Sequence, residues 1–308
     1  MHLTRRQFVA TCAAGAAAAA LPPRSTHAAP RGFPELAGQI GVTTSSVDAH
    51  FSPTNETGKL ALLDLPRFLR DELGMTVIDL NTRSLGTHDR HVIEAFRAAA
   101  EKAGTPIVNL KMNQKRADES QYDMASPDAA TREEAMAEYR RSIDDAAILG
   151  CPYARPLPTQ HKPELERHVA AYRELADYAS PKGVRMMIEN YLWMEDDPDL
   201  VPKLVSMIGH DVAVSPDTGN WANNEVRYIG LERAFPFAVT CDFKAKTLGP
   251  NGEHEMYDLK RCFDVGWASG FRGPWCIEHA NGQRDQLVRE LTMVRDMLAG
   301  WIKDKGQA

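Results

Sequence analysis

Short apolar, β-branched runs alternate with longer stretches of helical periodicity from residue 39 onward. The runs are Gln39–Thr43, Met75–Asn81, Pro106–Lys111, Pro152–Leu157, Val184–Glu189, Val212–Pro216, Ala238–Phe243 and Trp275–Glu278. Each has strand length and is apolar through its middle, the pattern of strands covered on both faces. Helical patterns lie at Leu65–Leu73, from about Asp89 to Ala103, from Ser126 to Gly150, from about Pro163 to Ala179, from Asp197 to Gly209, and from about Arg284 to Lys303. Ser126-Pro127 and Asp197-Pro198 read as an N-cap followed by the first helical residue, and Gly104 stands where a helix stops. This rhythm predicts an α/β fold, a single (β/α)8 TIM barrel. A doubly wound open sheet is the alternative. Such sheets carry a Gly-rich phosphate loop after the first strand, and Gly41-Val42-Thr43-Thr44 is no such loop.

The N-terminal residues follow a different rule. Thr4-Arg5-Arg6-Gln7-Phe8 precedes an uncharged, Ala-rich stretch from Val9 to Leu21, and Thr26-His27-Ala28-Ala29 offers small residues for cleavage. A positive start, apolar middle and small-residue exit make a secretory signal, and the paired arginines resemble the twin-arginine type. The apolar stretch is too short and too weakly hydrophobic to span a bilayer. Residues 1–29 are therefore expected to be a signal peptide and 30–308 the barrel. The implied partner is the twin-arginine export machinery, with a periplasmic or otherwise exported product and no stable membrane insertion after cleavage. Cys12 lies inside this segment; Thr11 before it makes a lipid-attachment reading weak.

The 308 residues carry a net charge of −6, which argues against nucleic acid or an anionic membrane as the main partner. Cys151, Cys241, Cys262 and Cys276 form no C-x-x-C pair and read as buried thiols rather than a disulfide framework. Nothing in the sequence excludes a homo-oligomer.

Barrel chemistry gathers at the C-terminal ends of the strands. Four successive runs place a carboxylate there: Glu189, Asp217, Asp242 and Glu278. The spacings, 28 (217 − 189), 25 (242 − 217) and 36 (278 − 242), are each about one β/α unit, so the side chains can converge at one height. Four uncompensated negative charges would repel, and a divalent cation relieves that conflict, with oxygen ligands suiting Mg²⁺, Mn²⁺ or Zn²⁺. Any single strand-end carboxylate is as readily a helix cap or an arginine's partner; the series of four is harder to explain that way.

Ile188-Glu189-Asn190, Ser215-Pro216-Asp217-Thr218-Gly219-Asn220 and Ile277-Glu278-His279 resemble motifs of the xylose-isomerase-like barrel superfamily, the sugar phosphate isomerase/epimerase group. The resemblance implies one metal ion held by Glu189, Asp217, Asp242 and Glu278. Asp242 departs from the family's usual histidine, while Lys244 keeps its lysine; Asn220 stands where some epimerases have histidine. The resemblance further implies that Glu189 and Glu278 exchange protons at a carbon beside a carbonyl through an enediolate.

Further candidates surround these. Lys111 and Arg155 read either as ligands of substrate oxygens or as ion-pair partners. Lys244 and Lys246 read as oxyanion stabilisers or as balance for an acidic mouth. His254, in the loop after the seventh strand, reads as a general acid/base, an extra ligand or an ordinary loop histidine. Trp193 and Trp221 read as an apolar wall against a sugar ring or as core, and His279 is expected on the opposite strand face from Glu278. The expected function is an exported, metal-dependent sugar isomerase or epimerase acting on a small carbohydrate. The alternative is a lyase eliminating a leaving group from an oxidised (keto) glycoside. A non-catalytic periplasmic sugar-binding protein needs no carboxylate ring. Phosphodiester hydrolysis, as in the endonuclease branch, calls for a histidine-rich zinc site that is absent from this chain.

Overall fold

The computed structural model describes residues 36–159 and 161–306; the expected signal peptide lies outside them. Eight parallel strands form the sheet: β1 Ile40–Thr43, β2 Val77–Asn81, β3 Ile107–Met112, β4 Tyr153–Pro156, β5 Arg185–Ile188, β6 Ala213–Val214, β7 Cys241–Lys244 and β8 Trp275–Glu278. They lie in the order β6-β5-β4-β3-β2-β1-β8-β7. Parallel bridges Val214–Ala238 and Asp217–Asp242 join β6 to the segment leading through β7, and so close the curl into a ring. This is the (β/α)8 architecture. Around it run α1 Leu65–Asp71, α2 Arg90–Ala103, α3 Ala129–Leu149, α4 Leu165–Ala179, α5 Leu200–Ile208, α6 Asn224–Ala234, α7 Leu259–Ala268 and α8 Arg284–Gly306. The periodicity delimits six of these; α6 and α7 emerge only in the structure.

One apolar layer fills the space between strands and helices, with Ile78, Leu80 and Leu110 packed among Leu69, Phe96 and Ile143. Separate buried groups, Tyr153 with Met187, Ala213 and Val239, and Val77 with Val108 and Cys276, belong to the inward strand faces. Cys151, Cys241, Cys262 and Cys276 are buried free thiols. No helix among the described residues is long and apolar enough to cross a membrane.

Helix starts correct the sequence reading in two places. The α3 cap is Asp128, whose carboxylate accepts from Thr131 N at 2.8 Å, while Ser126 Oγ accepts from Asp128 N. Pro127 therefore lies in the turn before the helix rather than inside it. Likewise Asp197 accepts from Asp199 N and the helix begins at Leu200. Asp and Ser side chains satisfy the backbone of such turns as readily as that of a helix, so the same residues signal either. Gly104 ends α2 with φ +70°, a conformation costly for any residue with a Cβ.

His88 ties the start of α2 to α3. Its Nδ1 meets Asp145 and its Nε2 lies 3.0 Å from Glu138. Hydrogen bonds to Asp145 and then Glu138 raise its pKa to about 9 against the opposing effect of burial. A folded pKa above the unfolded one stabilises fully below the unfolded value, and the gain is lost as pH rises through the folded value. Wild-type protein should lose about 1–2 kcal/mol between pH 6.5 and 9.5, allowing for solvent screening of a partly exposed ring. Chemical denaturation of His88→Gln should lack that slope; an equal slope in the variant would assign it elsewhere.

Candidate active site

The strands deliver five carboxylates and four cations to one end of the ring. Glu189 follows β5, Asp217 follows β6, Asp242 and Lys244 lie in β7, and Glu278 ends β8. Glu189, Asp217 and Asp242 are buried, and each offers an oxygen such that all three lie within 4.8 Å of one another. This trio has the spread of oxygens around one divalent ion. Glu278 stands outside it. In the strand register Asp242 pairs with Cys276 and Glu278 with Lys244. Of the four expected carboxylates three form this cluster, and Glu278 meets it through the Lys244 ammonium, 3.5 Å away.

The expectation of uncompensated charge is also corrected. Arg155 Nη1 lies 2.6 Å from Glu189 Oε2, and Lys111 Nζ bridges Asp242 Oδ1 at 2.7 Å and Asp79 Oδ2 at 2.9 Å. Lys244 Nζ lies 3.0 Å from Asp217 Oδ2 and 3.5 Å from Glu278 Oε1, and Lys246 Nζ lies 2.7 Å from that same Glu278 oxygen. Five carboxylates face four cations, so the mouth is nearly neutral through its own side chains. Lys111 and Arg155 are both buried ion-pair partners.

Asn190 and Asn220 set the carboxylates' geometry. Asn190 donates to the carbonyls of Asp217 and Asn220 and accepts from Asp217 N at 2.8 Å, locking the end of β5 to the loop after β6. Asn220 Nδ2 donates to Glu189 Oε1 at 3.1 Å, while its Oδ1 accepts from Lys244 Nζ at 2.6 Å. The backbone of Gly219 and Asn220 donates to Asp217 Oδ1 at 2.6 and 3.0 Å. A Cβ at Gly219 would stand 2.5 Å from Lys244 Cδ, so the glycine leaves room for the lysine stem.

The two glutamates sit in different fields. Burial dominates at Glu189 and raises its pKa despite Arg155 and Lys111. At Glu278 burial also acts upward, but Lys244, Lys111 and Lys246 together outweigh it and hold the carboxyl down to about 2. Asp242 is raised by burial against the pull of Lys111.

Other candidates fall outside this centre. Trp221 is buried in the core, its indole N–H on the Asp217 carbonyl at 2.9 Å and its ring against Gly230, so it holds the β6 loop and is no sugar wall. Trp193 packs edge-on to His168 of α4, with ring centroids 5.4 Å apart. His254 stacks on Tyr257 and accepts from Met256 N; burial pushes its pKa to about 4, leaving it neutral at pH 7. His279 faces away from the mouth, between the Ala245 carbonyl and Glu290.

Three participants escape sequence reading. Asp79 is a lone charge inside the apolar run of β2, and that interruption is its only signal. Asn109 donates to Asp79 Oδ1 at 2.8 Å. Tyr191, half-buried after Asn190, has its pKa raised by burial and then by Glu189, which places its hydroxyl within the field of the site. Leu192 beside it holds φ +54°, a strained value for a leucine, with Glu195 accepting its N–H at 3.0 Å.

A closed parallel barrel with paired acidic and basic side chains at its C-terminal mouth defines an α/β barrel of enzyme type. The sequence profile of the Xylose isomerase-like TIM barrel family matches residues 70–303, and the chain belongs to that family. Solved structures agree in fold at low identity. D-psicose 3-epimerase with D-tagatose from Clostridium cellulolyticum H10 is 13% identical, with 86% of this chain and 99% of that one covered at TM-score 0.66. 3-Keto-D-glucoside 4-epimerase YcjR from E. coli is 14% identical, with 84% and 99% covered at TM-score 0.64. A xylose isomerase-like TIM barrel protein from Mycobacterium smegmatis in complex with magnesium is 18% identical, with 86% and 97% covered at TM-score 0.61. A search of curated proteins finds no match.

Proposed function

We propose that the protein is a sugar isomerase or epimerase that moves a proton beside a carbonyl. The observation carrying this reading is the pair Glu189 and Glu278, at the ends of β5 and β8, linked through Asn220 and the Lys244 ammonium. One glutamate takes the proton from the carbon beside the carbonyl. The C–H electron pair moves to form the carbon–carbon double bond of an enediolate, and the carbonyl pair moves onto oxygen. The other glutamate returns a proton to the opposite face, inverting the centre. Lys244 and Lys246 lie beside Glu278 and are placed to balance the negative oxygen.

Glu189, Asp217 and Asp242 fit one divalent ion by the spread of their oxygens and would hold it. Bound there, Mg²⁺, Mn²⁺ or Zn²⁺ supplies polarisation of the substrate's oxygens. The epimerase names among the similar folds accord with a free ketose or keto-glycoside as substrate. Export through the twin-arginine route is part of the proposal, supported by Arg5-Arg6 and the Ala-rich stretch after them.

Incubation with ketohexoses and keto-glycosides in D2O, with each metal, tests this reading. Deuterium beside the carbonyl in an isomer otherwise unchanged in mass is expected. A released aglycone with an unsaturated sugar would instead identify elimination, and no incorporation with any substrate would overturn proton transfer altogether.

A further inference from the structure

Each acid of the proposed metal trio meets a cation, but at Asp217 that cation holds the oxygen the backbone leaves over and also reaches Glu278 at the mouth. Asp217 Oδ1 is taken by two backbone N–H groups, so Oδ2 is the oxygen left to offer, and Lys244 Nζ lies on it at 3.0 Å. Asp242 differs: Lys111 holds its Oδ1, while Oδ2 has no hydrogen-bond partner. Glu189 Oε1 is met by the neutral amide of Asn220, and its Oε2 by the buried Arg155 at 2.6 Å. Lys244 is a built feature rather than a wandering side chain. Its N–H donates to Thr218 Oγ1 at 2.9 Å, its carbonyl accepts from Tyr257 at 2.7 Å, and Gly219 clears its stem. Its ammonium also reaches Glu278, which lies outside the trio.

We infer that Lys244 is an internal competitor of the metal, an ammonium that holds and balances Asp217 until a divalent ion displaces it toward Glu278. This rests on the metal reading above. The metal-free protein is then folded with its site formed, and the ion binds weakly and exchangeably, because each binding event breaks an ion pair. It also couples metal loading to the lysine beside the proposed base.

Mn²⁺ titration by calorimetry tests this on the wild type, Lys244→Met, Lys244→Gln and Lys246→Met. Lys246 is the matched control, an equal charge near the site that touches Glu278 alone. Lys244→Gln keeps a donor toward Asp217 if the methionine variant folds poorly. Both Lys244 variants should bind Mn²⁺ roughly 30-fold tighter than wild type, with Lys246→Met within about 3-fold, since a contact charge outweighs a screened one. In chelator, the Lys244 variants should melt earlier than wild type and recover with Mn²⁺. Affinity in the Lys244 variants no tighter than in Lys246→Met would overturn the competition while leaving the metal site standing. No Mn²⁺ uptake by any of the four proteins would overturn both.

Discussion

Glu278→Gln and Glu189→Gln are each expected to lower turnover about 10²–10⁴-fold, the usual contribution of a positioned acid or base, and to stop solvent hydrogen appearing at the substrate carbon. Glu278 is ionised at neutral pH because Lys244, Lys111 and Lys246 outweigh the effect of its burial. Its amide replacement keeps the shape and removes the proton acceptor. Glu189 is the deeper partner, with Arg155 on one oxygen and Asn220 on the other. Steady-state rates and deuterium wash-in, read on variants whose melting matches wild type, check the assignment. Exchange retained in both variants would remove the two glutamates from the reaction.

Lys111→Met is expected to be the most damaging single change to stability, by about 3–5 kcal/mol, because a buried ion pair that loses one partner leaves charge uncompensated. Its ammonium is held between Asp79 and Asp242, and the burial of all three excludes water as a substitute. Melting should fall by roughly 10 °C. The deficit should shrink at acid pH, where Asp242, whose carboxyl burial pushes upward, takes up a proton and no longer opposes Asp79. Adding Asp79→Asn should recover part of the loss, since contacting residues are not additive. A Lys111→Met protein that melts with the wild type would show that water or a rearranged side chain reaches this layer.

The carboxylates at the ends of β5 through β8 were legible because each closes an apolar run and their spacing follows the β/α repeat. Their compensation was not. Lys111, Arg155 and Lys244 stand far from their partners along the chain, and a lysine ending a strand reads equally as substrate ligand or ion pair. The two tryptophans stayed open between wall and core for a related reason. A tryptophan following a strand end can face ligand or core, and Trp221 turns inward because Gly230 of α6 leaves a gap that its ring fills.

Local pattern alone determined the eight-unit alternation, the barrel and which strands end in acids, since apolar periodicity and Gly or Asp punctuation act within a few residues of chain. Two features were decided only by tertiary pairing. In β3, Ile107 pairs with Ile78 but Asn109 pairs with Asp79, so Val108 is an extra residue. Strict alternation would point Lys111 to the same face as Ile107, among the helices; the bulge turns it into the ring. In β7 and β8, register sets Glu278 level with Lys244 rather than Asp242. Pairing between strands far apart in the chain chooses such registers by how a whole face packs, and it sets Glu278 beside Lys244 rather than beside Asp242.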